Sequence, residues 1–230
     1  MNDTEGYVVG IDYSMTCPSM CIFNLSNGNF GFSKCQFVFQ IAKKFDRTHD
    51  IVPVLLPKTW NSREERWDFI SEQFVSLLEP FSHSARGIAA IGIEEYSFAS
   101  KSNNMFHVGE HTGVLRHKIH KRIGPVTSVN ITHVKRMSGA EGGGNATKGQ
   151  ILRKFQLDDP VGYETLLGTV GIRVTSRVKS PGKKTERIVE MVDSPAVDII
   201  DSYYLTKFLV ELVRGNVPFE EPKKTKKKSK

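Results

Sequence analysis

Cysteine is scarce in this 230-residue chain. The three present, Cys17, Cys21 and Cys35, are odd in number and form no spaced pair of CxxC clips, which excludes a disulfide framework and a structural zinc site. They read as ordinary reduced thiols, half-buried. No run of about 18 apolar residues occurs, so no membrane-spanning helix is expected. The opening Met1-Asn2-Asp3-Thr4-Glu5 lacks the basic and apolar stretches of a secretory leader, and the expectation is a soluble, intracellular protein. No internal repeat is visible. Acidic residues are nearly missing from residues 101–136, which hold seven Lys or Arg, five His and a single acid, Glu110. Six lysines crowd the last eight residues, Lys223 to Lys230. These two stretches account for the formal net charge of +7, because residues 1–100 carry 8 basic groups against 12 acidic ones. Such a footprint suits a polyanionic partner. The length suits one domain with insertions over residues 1–219, followed by a basic tail, 220–230, too polar to fold.

What is present is organised around Tyr7-Val8-Val9-Gly10-Ile11-Asp12, a short Val/Ile-rich run that reads as a buried strand and ends in a carboxylate. Taken alone, Asp12 is equally well read as a turn or cap residue. Met20 to Leu25 and Phe30 to Gln40 flank Asn27-Gly28 and read as two further antiparallel strands joined by a turn. Residues 41–61, with Pro53 and Pro57, show little periodicity and read as an excursion. Ser62-Arg63-Glu64-Glu65 predicts a capping box and a helix whose buried face carries Trp67, Ile70, Phe74 and Phe81. A second buried strand, Gly87 to Ile93, again ends in carboxylates, Glu94 and Glu95. Residues 104–123 follow helical spacing, with an apolar seam of Val108, Thr112, Leu115, Ile119 and Ile123 suited to a helix contact within the chain or between chains. Arg116, Lys118, Lys121 and Arg122 fill its other positions, and His107, His111, His117 and His120 read as surface phosphate contacts. Residues 125–135 read as a strand and 138–145 as a glycine-rich loop leading into a helix at Thr147-Lys148. Residues 172–192 read as a basic hairpin around Lys183 and Lys184. The last helix is expected to open with Ser194 as N-cap and Pro195 as its first residue.

In that last helix Asp198, Asp201, Leu205, Phe208 and Leu212 recur at three-four spacing, so two carboxylates head a buried stripe. Complementing the helix dipole explains Asp198 in the first turn but serves Asp201 poorly. With Asp12 and Glu94, four carboxylates are then available to converge, and their repulsion calls for cations. Oxygen donors suit Mg2+ or Mn2+, and an ion pair about 3.5–4 Å apart is the usual device for phosphodiester displacement.

Gly10-Ile11-Asp12-x-Ser14, Ile93-Glu94-Glu95-Tyr96-Ser97-Phe98, Gly109-Glu110-x-x-Gly113, Lys135, Lys148 after a glycine loop, and Asp198-x-x-Asp201 occur in an order that resembles the RuvC-type Holliday-junction resolvases. The resemblance runs over residues 7–155 and 194–212 and is greatest to virus- and phage-encoded members. It implies an α/β ribonuclease H-like fold, with a five-stranded mixed sheet and helices on both faces. It further implies a homodimer that cuts branched DNA with two Mg2+ ions per site and no nucleotide cofactor. By position, Asp12 would bridge the ions, Glu94 would bind one, and Asp198 and Asp201 would complete the coordination. Lys148 would meet the scissile phosphate, Lys135 a second phosphate, and Tyr96 or Phe98 would stack on bases or pack in the core. Lys101, Arg116, Lys121, Lys183 and Lys184 would bind DNA. The seam helix would lie at the two-fold axis. Glu95 competes with Glu94, and the excursion, hairpin and tail have no counterpart in the pattern. Flaps, forks or RNA–DNA hybrids as substrates, and a non-catalytic junction-binding role, are the alternatives.

Overall fold

Strand β1 (Tyr7–Asp12) is buried from Val8 onward, so it needs neighbours on both edges and covers on both faces. On one edge β2 (Ser19–Asn24) runs antiparallel, bringing Ser19 opposite Asp12. On the other β5 (Ile88–Glu94) runs parallel, with Gly10 opposite Gly92 and Ile11 opposite Ile93. The computed structural model describes residues 5–45, 48, 50–95, 105–179 and 187–217. Among these, β3 (Cys35–Ile41), β4 (Ile51–Leu55) and β6 (Thr127–Val129) extend the sheet to the order β4-β3-β2-β1-β5-β6. The link from β2 to β3 turns at Gly28 (φ 76°) after a short 3-10 segment, Leu25–Asn27.

The sheet thus has six strands rather than five, and the extra one, β4, lies inside the stretch read as an excursion. Pro53 hides it from a periodicity argument. A proline is tolerated there because β4 is an edge strand, whose outer N–H groups need no partner in the sheet. The expected strand over 125–135 is also corrected: only Thr127–Val129 pairs, and α3 (Ile131–Ser138) begins once the Asn130 side chain accepts the Thr132 N–H. Lys135 therefore stands on a helix.

Strand alternation divides the core in two. Val9 and Ile11 face α1 (Arg63–Ser82) and α2 (Met105–Arg122), meeting Phe74, Leu78, Leu115 and Ile119. Val8 faces α6 (Ala196–Val213), joined in the same core by Phe155 of α4 (Lys148–Asp158) and Leu166 of α5 (Pro160–Val170). The capping box of α1 forms with a shift: Ser62 Oγ accepts the Glu65 N–H, while the Glu65 carboxylate accepts the N–H of Asn61.

The apolar seam of α2 is spent inside the chain. Leu115 and Ile119 are fully buried and Thr112 nearly so, leaving them no face to offer a second copy. Two of the helix's basic groups are also engaged, Lys118 with Asp68 and Glu72, and Arg122 with Glu72 and Glu79 on α1. The hairpin forms as a separate two-stranded sheet, β7 (Val174–Lys179) with β8 (Arg187–Val192). At the start of α6, Pro195 itself takes the N-cap position, one residue later than expected. Among the described residues no helix is long and apolar enough to cross a membrane.

Candidate active site

Two glycines let α6 lie directly on the sheet. A Cβ on Gly10 would stand 2.4 Å from Thr206 Oγ1 and 2.6 Å from Thr206 N, and one on Gly92 would stand 2.6 Å from Leu209 Cδ1. Asp12 and Glu94 each come two residues after these glycines, so strand alternation turns both carboxylates toward the same helix. Moving toward the N-terminus of α6 from Thr206 leads to Asp201 and Asp198, above the two strand ends. The register is held by hydroxyls: Thr206 Oγ1 donates to the Cys21 carbonyl (3.1 Å) and Ser19 Oγ to the Asp198 carbonyl (2.6 Å). These contacts span more than 170 residues of sequence, and no local pattern announces them. The repeated Gly-Ile-Asp and Gly-Ile-Glu at residues 10–12 and 92–94 is the signal that foreshadows the close approach.

The resulting cluster carries more negative charge than its surroundings balance. Asp12, Asp198 and Asp201 are 8%, 5% and 6% exposed, and Glu94 is half-buried. Burial, then the charges of Asp201, Glu94 and Asp198, raise the Asp12 pKa well above the ordinary carboxylate range, against the pull of Lys148. Burial and Asp201 push Glu94 up to about 7 while Lys148 and Lys135 oppose. Burial also raises Asp198, although Ser194 and Ser14 hydrogen-bond its carboxylate. One Asp198 oxygen, Oδ2, is buried without a hydrogen-bond partner. The local counter-charge is Lys148, whose ammonium is ion-paired with Asp201. Burial disfavours that ammonium, but Asp201, Asp12 and Glu94 outweigh it and hold its pKa above that of an ordinary lysine.

As the side chains stand, no three His, Cys, Asp or Glu groups among the described residues converge closely enough to hold one ion. The donor chemistry still suits a hard divalent cation: the acceptors are all carboxylate oxygens, one is unpartnered, and the Lys148 ammonium, with Lys135 acting on Glu94, leaves the four acids under-balanced. Asp12, Glu94, Asp198 and Asp201 are the residues that could hold it.

Of the two adjacent glutamates, Glu94 interacts with Asp201 and Lys148, whereas the Glu95 N–H pairs with the Val129 carbonyl beside it. Lys135 donates to the Ala146 carbonyl (3.0 Å), two residues before Lys148. Arg116 is half-buried and donates to Ser128 Oγ (2.8 Å), while Lys121 is exposed. Tyr96, Phe98, Lys101, Lys183, Lys184 and the lysine tail lie outside the described residues. His111 is not a surface residue: it is fully buried, stacked on Tyr13 at 4.1 Å between centroids, with neither ring nitrogen hydrogen-bonded. His107 interacts with Arg63, and His117 and His120 are exposed. The three cysteines are buried and unpaired, and Cys17 hydrogen-bonds Asp198.

No protein-family model matches the sequence, and no curated protein matches it. Solved structures do. RuvC from Thermus thermophilus is 18% identical, with 91% of this chain and 96% of that chain covered at a TM-score of 0.50. A T. thermophilus RuvC structure in complex with a Holliday junction substrate is 18% identical, covering 90% and 96% at a TM-score of 0.49. At this identity the likeness speaks for the fold, and the six-stranded mixed sheet with helices on both faces agrees with it. The chain has the ribonuclease H-like fold of RuvC.

Proposed function

We propose that this protein is a divalent-metal-dependent endonuclease that resolves four-way junctions in DNA. The observation that carries the reading is the carboxylate cluster, in which Asp12 and Glu94 at adjacent strand ends lie under Asp198 and Asp201 of α6 with Lys148 ion-paired to Asp201. Four acids crowded into one place destabilise the fold unless cations neutralise them, and Mg2+ is the cation that suits their oxygens. Asp12, Glu94, Asp198 and Asp201 would hold the metal, with Asp12 at the centre of the set. Bound Mg2+ supplies Lewis-acid polarisation of the phosphate and an activated water.

The chain's own groups do the rest. Ser14 and Ser194 orient the Asp198 carboxylate. The Lys148 ammonium, at the first turn of α4, supplies positive charge where a phosphate meets the cluster and stabilises charge that develops there. Lys121, Lys135, Lys183, Lys184 and the lysine tail supply sequence-independent phosphate contacts. A homodimer pairing two such sites would match the approximate two-fold symmetry of a junction and make paired nicks. Its interface would use surface other than Thr112, Leu115 and Ile119 of the α2 seam, which are buried within the chain.

Cleavage of end-labelled four-way junctions, flaps, forks and RNA–DNA hybrids, side by side with Mg2+, tests this. The four-way junction should be cut fastest. Faster cutting of flaps, forks or hybrids would reassign the substrate, and binding without cutting at any Mg2+ or Mn2+ concentration would make this a junction-binding protein.

A further inference from the structure

Strand β8 of the hairpin packs against α4, the helix that carries Lys148. A Cβ added to Gly149 would stand 2.4 Å from Glu190 Oε2 and 2.6 Å from Glu190 Cβ, so the β8 side chain occupies the space that any other residue at 149 would fill. The same Glu190 carboxylate is ion-paired with Arg153, one turn further along α4. Gly149 directly follows Lys148, whose ammonium reaches Asp201. The first turn is otherwise fixed by Thr147 and Gln150, which cap each other's backbone. We propose that Glu190 is a positioning residue for Lys148: seated on Gly149 and held by Arg153, it fixes the first turn of α4 so that the lysine meets the carboxylate cluster.

The arrangement has two parts with separate consequences. The methylene of Glu190 sets the height of the helix's first turn, because only glycine allows its approach. Arg153 keeps the carboxylate engaged, so that Glu190 does not draw the neighbouring Lys148 ammonium away from Asp201. An acid beside a helix N-terminus is favourable in its own right, which helps to hold the hairpin there. β8 also continues through Asp193 into α6, so the hairpin is tied to both helices that meet in the Lys148–Asp201 pair.

The inference rests on the nuclease reading only for its kinetic consequence, and a compensating pair of substitutions tests it in the full-length protein. Gly149→Ala must push Glu190 or the first turn of α4 aside. It should lower kcat for junction cleavage by about tenfold or more, as small displacements of a positioned group do, with KM little changed. Adding Glu190→Gly to that variant removes the carboxylate and also the Cβ that would stand 2.6 Å from the new methyl, and should restore much of the loss. A second measurement needs no cleavage at all: acetylation of Lys148 by acetic anhydride, followed by mass spectrometry. It should be slow in the wild type, several-fold faster in Gly149→Ala, and slow again in the double variant. Gly149→Ala/Glu190→Gly behaving no better than Gly149→Ala in labelling, or Lys148 reacting equally in all three, would overturn the proposal. A wild type that cuts no branched DNA would refute the nuclease reading instead, leaving the labelling result to decide this one.

Discussion

Replacing Asp12 by Asn, Glu94 by Gln or Asp201 by Asn removes one acid from the cluster while leaving its volume. Each should slow Mg2+-dependent cleavage at least about a hundredfold, the scale seen when one electrostatic group of a preorganised site is lost. Binding of uncut junction should persist, since it draws on lysine and arginine contacts to phosphate. Gel-shift and cleavage assays on the same preparations separate the two, and Glu95→Gln is the control that should stay active. The same cluster sets a pH dependence. Glu94 is raised to about 7, above its unfolded value, so without metal the folded state holds that proton more tightly. Stability should then fall as pH rises from about 4.5 to 7, and Glu94→Gln should reduce that fall, leaving the share that the raised Asp12 and Asp198 contribute. His111 gives the opposite window. Burial, then the nearby Arg66 charge, lower it to about 3, so it stays neutral when folded, and stability is lost as pH drops from about 6.5 toward 3. His111→Phe should flatten the acid side of a melting-temperature profile recorded in chelator. From its place on a basic helix His111 reads as a surface residue, because position on α2 does not reveal that Tyr13 lies over the ring.

Helix α6 and the strands beneath it were the most legible parts of the sequence, because strand ends with carboxylates and a three-four stripe are local patterns. What such a pattern cannot say is which neighbour a face meets. The α2 seam has the spacing of a helix contact, and the contact proves to be with this chain's own α1 and sheet. Leu115→Asp should therefore unfold the protein rather than split a dimer: it buries an unpaired charge at a fully enclosed position, at a cost of several kcal/mol. Circular dichroism would show the loss of helix directly. Strand β4 was hidden for a different reason, since Pro53 breaks the pattern that an edge strand is free to break. Lys148 was legible as a residue but not in its pairing with Asp201, 53 positions away. Gly10→Ala tests the seat of α6. Its Cβ would meet the Thr206 backbone nitrogen at 2.6 Å, so the helix must lift, with a stability loss of about 1–3 kcal/mol typical of overpacking. Asp198 and Asp201 would move with it, and cleavage should fall even where the protein remains folded.

Under the proposed function, the basic stretches of the chain would serve binding while the carboxylate cluster cuts. Deleting Lys223 to Lys230 should weaken binding to every DNA tested and flatten its dependence on salt, because each lost phosphate contact lowers the slope of log K against log salt by about 0.9. Fluorescence anisotropy over a salt series measures both. The proposed pairing of two sites on one junction makes a sharper demand, since two nicks in opposite strands within one encounter leave no free intermediate. A supercoiled plasmid carrying an extruded cruciform reports this directly. The account predicts linear product in Mg2+ without prior accumulation of nicked circles, and no product from Asp12→Asn. A plasmid that stays supercoiled with the wild type, or nicked circles that build up before any linear form, would contradict it.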